Sequence, residues 1–398
     1  MEASKYPAYQ DFEWAVKLNR YSLELIGLWP KFEQTTREKY MSNLRVLFVF
    51  SLLMLVIVIP AIHSLIRVRS NIMIVIDNLQ FILPIITSVL RLVIFWWKKE
   101  AITPLIRMIA NDWVKLKTPD ERTTMIARAQ TARIIITLGY SIMGAALAVA
   151  IILPIFGYSM RYITNITDPG RLLPLQTYYI YDVTKSPQYE LTFIFQSIAM
   201  FFCIMPYTGI DNFLSLLVFH ICGQLDILKN RLVRIKNVTN YVNVLKSCAM
   251  DHARLLSAIA IIEDTFNAML LMLFLYFGGL FAFHGFYTMT LFEEHSISLS
   301  HLAYLVTIVT NTFGHMCVYC AVGEILTAQC NQIHYAVYCN EWYNLNPRNA
   351  RDLALLMVRT NKPFYLTAGK VFTLTMATFC NLLKTSAGYI SVMLTTRS

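Results

Sequence analysis

Long apolar stretches alternate with polar, basic segments along the chain. Five stretches of at least 20 residues contain no Asp, Glu, Lys or Arg: 46–66, 134–160, 191–210, 265–292 and 296–323. Two further stretches of similar length, 72–97 and 371–396, carry charged residues inside them. A helix needs about 20 predominantly apolar residues to cross the hydrocarbon core of a bilayer. The pattern therefore predicts seven transmembrane helices.

The composition supports this prediction. Charged residues make up 15% of the 398 residues, and hydrophobic residues make up 56%. Soluble domains average about 25% charged residues. One water-soluble fold of this size cannot bury so much apolar surface. The sequence therefore predicts an all-α polytopic membrane protein surrounded by membrane lipid.

The basic residues are distributed unevenly around the predicted spans. Twenty-five of the 34 Lys and Arg residues lie in segments on one side, and six lie on the other. Cytoplasmic loops carry such an excess, so we expect a cytosolic N-terminus and an extracellular C-terminus. The net charge of +10 is then a topology signal, and no nucleic-acid partner is expected. Asn165 begins a glycosylation sequon in a loop that this topology places outside.

The spans divide the chain into six predicted segments. These are a cytosolic N-terminal segment (1–43), transmembrane helices one to four (44–218), a cytosolic helical segment (219–260), helices five and six (261–323), a second cytosolic segment (324–370) and the last transmembrane helix (371–398). Leu225, Leu228, Leu232 and Ile235 recur at helical spacing, so span four is expected to continue as a helix into the cytosol. The inner ends of spans four to six would form a helical bundle, either as an oligomer interface or as a monomeric inner domain.

The last predicted span carries a polar stripe. At helical spacing, one face collects Asn381, Thr385, Gly388, Val392 and Thr395, with Lys384 beside them. A polar face inside a membrane must meet protein or water. One interpretation is helix packing through small residues. The other is a pore wall in which Val392 is a constriction that gates by dewetting, which requires an oligomer because one helix cannot enclose a channel.

The sequence shows no motif for enzymatic or cofactor chemistry. HExxH, Walker A and GxGxxG patterns are all absent. The eight cysteines lack the paired CxxC spacing of a zinc site. His301 and His315 share one helix face, but no second span supplies the matching pair that a haem would need. We therefore predict neither an enzyme nor a bound cofactor or metal.

Several motifs together resemble the insect odorant receptor family. They are YSLELIGLWP at 21–30, DHARLL at 251–256, EWYNL at 341–345, KPFYLTAGK at 362–370 and FCNLLKTSAGYISVML at 379–394. The resemblance covers nearly the whole chain and is sharpest at the C-terminus. It implies the insect odorant receptor channel fold, which has seven spans and a cytosolic N-terminus.

The resemblance also implies a function. Tuning receptors of this family form a ligand-gated, non-selective cation channel as a heterotetramer with the Orco co-receptor. They act in the plasma membrane, on the dendrites of olfactory sensory neurons. The four seventh helices would line the pore, with Val392 as the gate and Tyr389 three residues before it. The chain resembles a tuning subunit because it lacks the extended loop that the co-receptor carries before span five.

The family's ligand is a small hydrophobic odorant. It binds in the outer half of the membrane, between spans two, three, four and six. Thirteen residues of this chain lie at the matching depth and are candidate ligand contacts: Val75, Asn78, Leu79, Ile82, Ala146, Ala150, Tyr158, Phe193, Gln196, Met200, Tyr304, Ile308 and Asn311. They are mostly apolar or aromatic, as a pocket for a small volatile molecule requires.

Two alternatives stay open. A gustatory-type ligand-gated channel is a close relative, although its last span follows a TY-hydrophobic-QF pattern that is absent from this chain. A metabotropic seven-helix receptor has an external N-terminus, which the predicted orientation opposes. Span three also ends in Met160-Arg161-Tyr162 without an acidic neighbour, and span seven has no NPxxY motif.

Overall fold

Helices dominate the structure. The computed structural model describes residues 5–31, 34–70, 72–115, 117–158, 171–175, 177–235, 240–293, 299–340, 342–362 and 364–395. Asn165 lies outside these residues. The described helices and strands are α1 (Lys5–Leu25), α2 (Thr36–Leu53), a π-helical turn (Met54–Val58), α3 (Ile59–Arg67), α4 (Ile72–Val114), α5 (Pro119–Ile155), α6 (Gln188–Val233), α7 (Tyr241–Glu293), α8 (Leu299–Tyr338), a 3-10 turn (Trp342–Asn344), α9 (Pro347–Thr360), β1 (Thr367–Ala368), β2 (Phe372–Thr373) and α10 (Met376–Thr395).

Four of the helices are much longer than a membrane is thick. α4, α6, α7 and α8 have 43, 46, 53 and 40 residues. At a rise of 1.5 Å per residue, even 40 residues extend about 60 Å, twice the hydrocarbon thickness of about 30 Å. Each helix therefore continues beyond the membrane. The extensions of α4, α6 and α7 carry Lys and Arg residues, among them Lys98, Arg231 and Arg254. We call the end of the bundle to which these extensions project the basic end.

The apolar spans of the sequence correspond to helices. Among the described residues, six helices are long and apolar enough to cross a membrane, counting α2, the π-helical turn and α3 as one. The helix predicted to continue from span four does continue, because α6 reaches Val233 without a break. α10 has 20 residues, enough for one crossing.

A buried carboxylate ties three helices together at the basic end. Asp112 of α4 accepts a hydrogen bond from Arg254 of α7 at 2.6 Å, and its other oxygen lies 3.3 Å from Nε2 of His220 on α6. Burial alone would raise the pKa of Asp112. The hydrogen bond and charge of His220, with the charge of Arg254, outweigh burial and lower that pKa. The carboxylate therefore stays ionised and fixes the spacing of α4, α6 and α7.

A short hairpin sets the start of the last helix. β1 and β2 pair antiparallel, with Thr367 opposite Thr373. Gly369 at the turn has a φ of +63°, and a Cβ atom there would lie 2.5 Å from Leu271 of α7. Only glycine tolerates both conditions. The Gly369 N–H donates to the carbonyl of Asn267 at 2.9 Å, so the hairpin is bound to α7 and α10 begins at a defined height.

A second buried ion pair lies inside the bundle. Arg91 of α4 is 1% exposed and donates to the Asp211 carboxylate of α6. Its guanidinium also lies 3.4 Å from the hydroxyl of Tyr319 on α8 and 5.4 Å from the ring centroid of Tyr207 on α6. A charge at this depth is costly unless it is paired. The pair therefore holds α4, α6 and α8 at fixed positions relative to one another.

We predict that Arg91→Ala destabilises the protein by about 3–5 kcal/mol, because it leaves the Asp211 carboxylate buried without its counter-ion. The measurement is thermal unfolding of the detergent-solubilised protein, followed by tryptophan fluorescence. Arg91→Met combined with Asp211→Asn should recover most of the loss, since neither charge then remains.

The matched control is the exposed pair of Lys39 and Glu100, whose side chains are 59% and 77% exposed. Lys39→Ala should change the stability by about 1 kcal/mol or less, because solvent screens exposed pairs. Equal losses from Arg91→Ala and Lys39→Ala would contradict the structural role of the buried pair.

Candidate functional site

An apolar cavity of about 200 Å³ lies between α4, α5, α6 and α8. Leu175, Ile57 of the π-helical turn and Tyr276 of α7 complete its wall. The four main helices contribute Gln80, Phe81, Pro84 and Ile85 from α4, Met143, Ala146, Leu147 and Ala150 from α5, Met200, Cys203, Ile204 and Tyr207 from α6, and Ile308, Asn311 and Thr312 from α8. These helices correspond to spans two, three, four and six of the sequence.

Helix packing explains why this space is open. Prolines interrupt the backbone hydrogen bonding of α4 at Pro84 and of α6 at Pro206, because a proline nitrogen cannot donate. Small side chains, Ala146 and Ala150, face the cavity from α5. The buried pair of Arg91 and Asp211 lies beneath, and Tyr207 separates it from the cavity. The floor of the cavity is therefore the ring of Tyr207, beneath mostly apolar walls.

Five of the thirteen predicted ligand contacts line this cavity. They are Ala146, Ala150, Met200, Ile308 and Asn311. Seven others lie outside the lining: Val75, Asn78, Leu79, Ile82, Tyr158, Phe193 and Gln196. The remaining one, Tyr304, lies in α8, and its side chain is outside the described part of the chain. As contacts of an odorant, all thirteen stay predictions.

The predicted residues and the lining residues differ in their positions along α4 and α6. On α4 the lining begins at Gln80, whereas the predicted residues begin at Val75. On α6 the lining runs from Met200 to Tyr207, whereas the predicted residues end at Met200. On α4 and α6, the cavity lies about one or two turns closer to the basic end than the predicted residues, whereas on α5 and α8 the predicted and lining residues overlap.

The seven residues outside the lining have other positions in the bundle. Asn78 is buried and donates to the carbonyl of Ile74 at 3.0 Å, and Phe193 packs on Tyr189 with ring centroids 6.1 Å apart. Tyr158 is exposed beyond the end of α5. Ile82 is buried, and Val75 and Leu79 are half-buried on α4.

Gln196 anchors a segment that covers the cavity. This cover segment comprises residues 171–175 and 177–181. Gln196 accepts from the N–H of Leu175 at 3.0 Å and donates to the Leu175 carbonyl at 2.9 Å and to the Tyr179 hydroxyl at 2.7 Å. Tyr179 in turn donates to the carbonyl of Val56 at 2.9 Å. Leu175 itself lines the cavity, so Gln196 acts on the cavity through the cover segment.

Sequence reasoning missed several lining residues, among them Gln80, Cys203, Tyr207 and Tyr276. Tyr276 belongs to α7, a helix that the resemblance did not implicate. One signal was available for Gln80, because a polar residue four positions before Pro84 shares its helix face. The depth of the other residues depends on how far the helices extend past the membrane, which the hydropathy pattern does not specify.

A second cavity of about 170 Å³ lies between α5, α6 and α8. Its wall includes Asp211, His315 and Tyr319, and Asn311 lines both cavities. Asn311 therefore stands at the boundary between them. Among the described residues, no group of three His, Cys, Asp or Glu side chains could hold a metal ion.

The polar stripe of α10 is open in the single chain. Its members Asn381, Lys384, Thr385, Gly388 and Val392 are exposed, as is the neighbouring Tyr389. A Cβ atom at Gly388 would meet no atom within 4 Å. Thr395 is the last residue of α10, and its side chain is outside the described part.

The opposite side of α10 packs against the chain's own bundle. Leu382 and Ser386 are buried, and Ser386 donates to the carbonyls of Leu382 at 2.9 Å and of Gly278 on α7 at 3.3 Å. Phe379 packs edge-on against Phe313 of α8, with ring centroids 6.2 Å apart. The helix therefore directs one face inward and leaves its polar face available to a neighbour or to water.

Solved structures show the fold. The chain superposes on an olfactory receptor from the insect Machilis hrabei, OR5 in complex with eugenol, with a TM-score of 0.83 and 15% sequence identity. The match covers 96% of this chain and 98% of that receptor. A second structure of OR5 from the same species gives a TM-score of 0.82 over 96% and 97% of the two chains.

Curated relatives are odorant receptors. Odorant receptor 10 of Aedes albopictus is 25% identical over 53% of this chain and 57% of its own length. Odorant receptor 42b of Drosophila melanogaster is 22% identical over 43% of each chain. The chain thus spans about half the length of these two relatives. Odorant receptor 85c of the same fly is 21% identical over 80% of this chain and 81% of its own.

A family model covers most of the chain. The family described as 7tm odorant receptor matches residues 71–387. This range includes the four helices of the cavity and most of α10. Within the described part of the chain, six apolar helices are long enough to cross a membrane, which agrees with a multi-pass membrane protein. The chain belongs to the 7tm odorant receptor family.

Proposed function

We propose that this chain is the odorant-binding subunit of a ligand-gated, non-selective cation channel formed with the Orco co-receptor. The observation that carries the proposal is the covered, apolar cavity among α4, α5, α6 and α8 in a chain of this family. Its lining suits a small hydrophobic molecule. The structurally similar receptor from Machilis hrabei was solved with eugenol, a small molecule of this kind.

Two helices stand between the cavity and the proposed pore helix. On α8, Thr312 lines the cavity and the next residue, Phe313, contacts Phe379 of α10. On α7, Tyr276 lines the cavity and Gly278 accepts a hydrogen bond from Ser386 of α10. A ligand that fits the cavity better in one arrangement of α7 and α8 shifts the population toward that arrangement. α10 then moves with the helices to which it is bound.

In the proposed assembly, the α10 helices of the subunits surround one axis. Asn381, Thr385 and Gly388 then face water, which resolves the cost of a polar face in the membrane. Val392 and Tyr389 form the gate, and Lys384 lies beside the stripe. The basic end faces the cytosol, and its long helices form the anchor between subunits. The site of action is the plasma membrane of the sensory dendrite.

Recordings with and without Orco test the proposal directly. An odorant panel should evoke cation current in cells that express both chains and none in cells that express this chain alone. If second messengers, and not direct channel opening, carried the response, the current would disappear in excised patches that lack cytosolic factors. That result would favour a metabotropic receptor.

We predict that Val392→Ala raises the leak current or changes ion selectivity when the variant is co-expressed with Orco. Removing two methyl groups widens and wets an apolar constriction. Reversal potentials and basal currents measure the effect. Val306→Ala is the matched control, because Val306 of α8 is 57% exposed and Val392 is 59% exposed. Unchanged permeation in both variants would remove Val392 from the gate.

Filling the cavity should reduce ligand sensitivity. We predict that Ala150→Phe raises the half-maximal odorant concentration at least about tenfold, because the added ring takes up ligand space at a cost above 1.4 kcal/mol. Dose–response curves measure the shift. Ala148→Phe places the same ring on the exposed face of α5 and should leave the curve unchanged. Equal shifts in the two variants would count against this cavity as the odorant site.

An epitope added before Met1 should be stained only after the cells are permeabilised, because the basic end is expected to face the cytosol. Antibody labelling of intact and permeabilised cells is the measurement. The same epitope added after Ser398 serves as the control and should be stained on intact cells. An N-terminal epitope that is labelled on intact cells would rule out the proposed orientation.

A further inference from the structure

The cavity is mostly apolar, and the few polar side chains in its wall differ in whether their polar atoms already have a hydrogen-bond partner. Thr312 already donates to the carbonyl of Ile308 at 2.7 Å. Two amide side chains, Gln80 and Asn311, each have a buried atom without a hydrogen-bond partner among the described residues. Both residues line the cavity. The cavity wall therefore holds unused hydrogen-bonding capacity at two points.

Gln80 supplies a donor. Its side chain is 1% exposed, and its Nε2 atom has no partner in the described part of the chain. A buried amide that has left water without gaining a partner is unfavourable. An apolar residue would fill the same place on α4 without this cost. Pro84, four residues later, also cannot donate to the backbone carbonyl of Gln80.

Asn311 supplies an acceptor. It lies on α8, at the boundary between the two cavities. Its Oδ1 atom is buried and, within the described ranges, accepts no hydrogen bond. The backbone carbonyl of the same residue is already used, because His315 lies 3.0 Å from it. Gln80 and Asn311 thus place an amide donor and an amide acceptor on two different helices of one cavity.

We infer that the cavity selects ligands that carry a hydroxyl group, that is, small alcohols or phenols with an apolar remainder. This inference rests on the proposed function and specifies its ligand class. A hydroxyl oxygen accepts from the Gln80 amide, and the hydroxyl hydrogen is donated to Oδ1 of Asn311. An ether or ketone only accepts and satisfies Gln80 alone. A hydrocarbon satisfies neither amide.

Matched triplets of ligands test the inference. In each triplet, an alcohol, its isomeric methyl ether and a hydrocarbon have the same number of heavy atoms. One linear triplet is octanol, heptyl methyl ether and nonane, and one aromatic triplet is benzyl alcohol, anisole and ethylbenzene. Currents are recorded from cells that express the full chain with Orco. Size and shape are nearly constant within a triplet, so the comparison isolates the hydroxyl hydrogen.

For a triplet that evokes current, the alcohol should act at a concentration at least about tenfold lower than its ether, because a site that leaves a buried acceptor unpaired discriminates strongly. Gln80→Leu and Asn311→Leu should each lower the ratio of the ether's effective concentration to the alcohol's. In the double variant, this ratio should be near one. The double variant should still respond to the ether. Gln224→Leu, at a half-buried amide of α6 outside both cavities, should preserve the ratio.

The outcomes separate the two proposals. If wild-type receptor responds equally to alcohol and ether, the hydroxyl inference is wrong and the channel proposal stands. A preference that persists in the double variant also overturns the inference. If no odorant of either triplet or of a broad panel evokes current while surface biotinylation shows both chains, the channel proposal itself fails. Because the wild-type comparison needs no variant, poor folding of a variant leaves the test intact.

Discussion

The interior of this bundle depends on a single requirement: a charge inside a membrane must have a partner. Arg91 on α4 is paired with Asp211 on α6, and Tyr319 of α8 lies against the same guanidinium. Three helices are thereby fixed at one level. Helices fixed at one level cannot close completely at another where prolines and alanines leave gaps. The cavity is the space above this level, and its floor is the aromatic ring of Tyr207.

The packing of α7 and α8 links ligand binding in the cavity to movement of α10 in the proposed mechanism. α7 contributes Tyr276 and α8 contributes Ile308, Asn311 and Thr312 to the cavity, and each helix also contacts α10 close to these residues. No long pathway of contacts is required, because a helix moves as a rigid element over such a short distance. The helices stay together at the basic end during this motion, because Asp112 of α4 contacts Arg254 of α7 and His220 of α6.

The sequence predicted those features that follow from local pattern, such as the apolar spans, the inward continuation of α6 and the stripe on α10. It could not predict features set by contacts between distant segments. Arg91 was visible as a charge in a span, but its partner lies 120 residues away. The role of Gln196 depends on how residues 171–175 and 177–181 fold back over the bundle. The positions of the cavity-lining residues along α4 and α6 depend on how the helices pack against one another, which the resemblance does not specify.

The last helix also has a consequence for biogenesis. Asn381 and Lys384 are exposed on its polar stripe in the single chain. In an unassembled chain these side chains would face lipid, where they are unfavourable. In the proposed assembly, neighbouring subunits and water cover the stripe. An unassembled chain would therefore expose to lipid a polar surface that the assembled receptor hides.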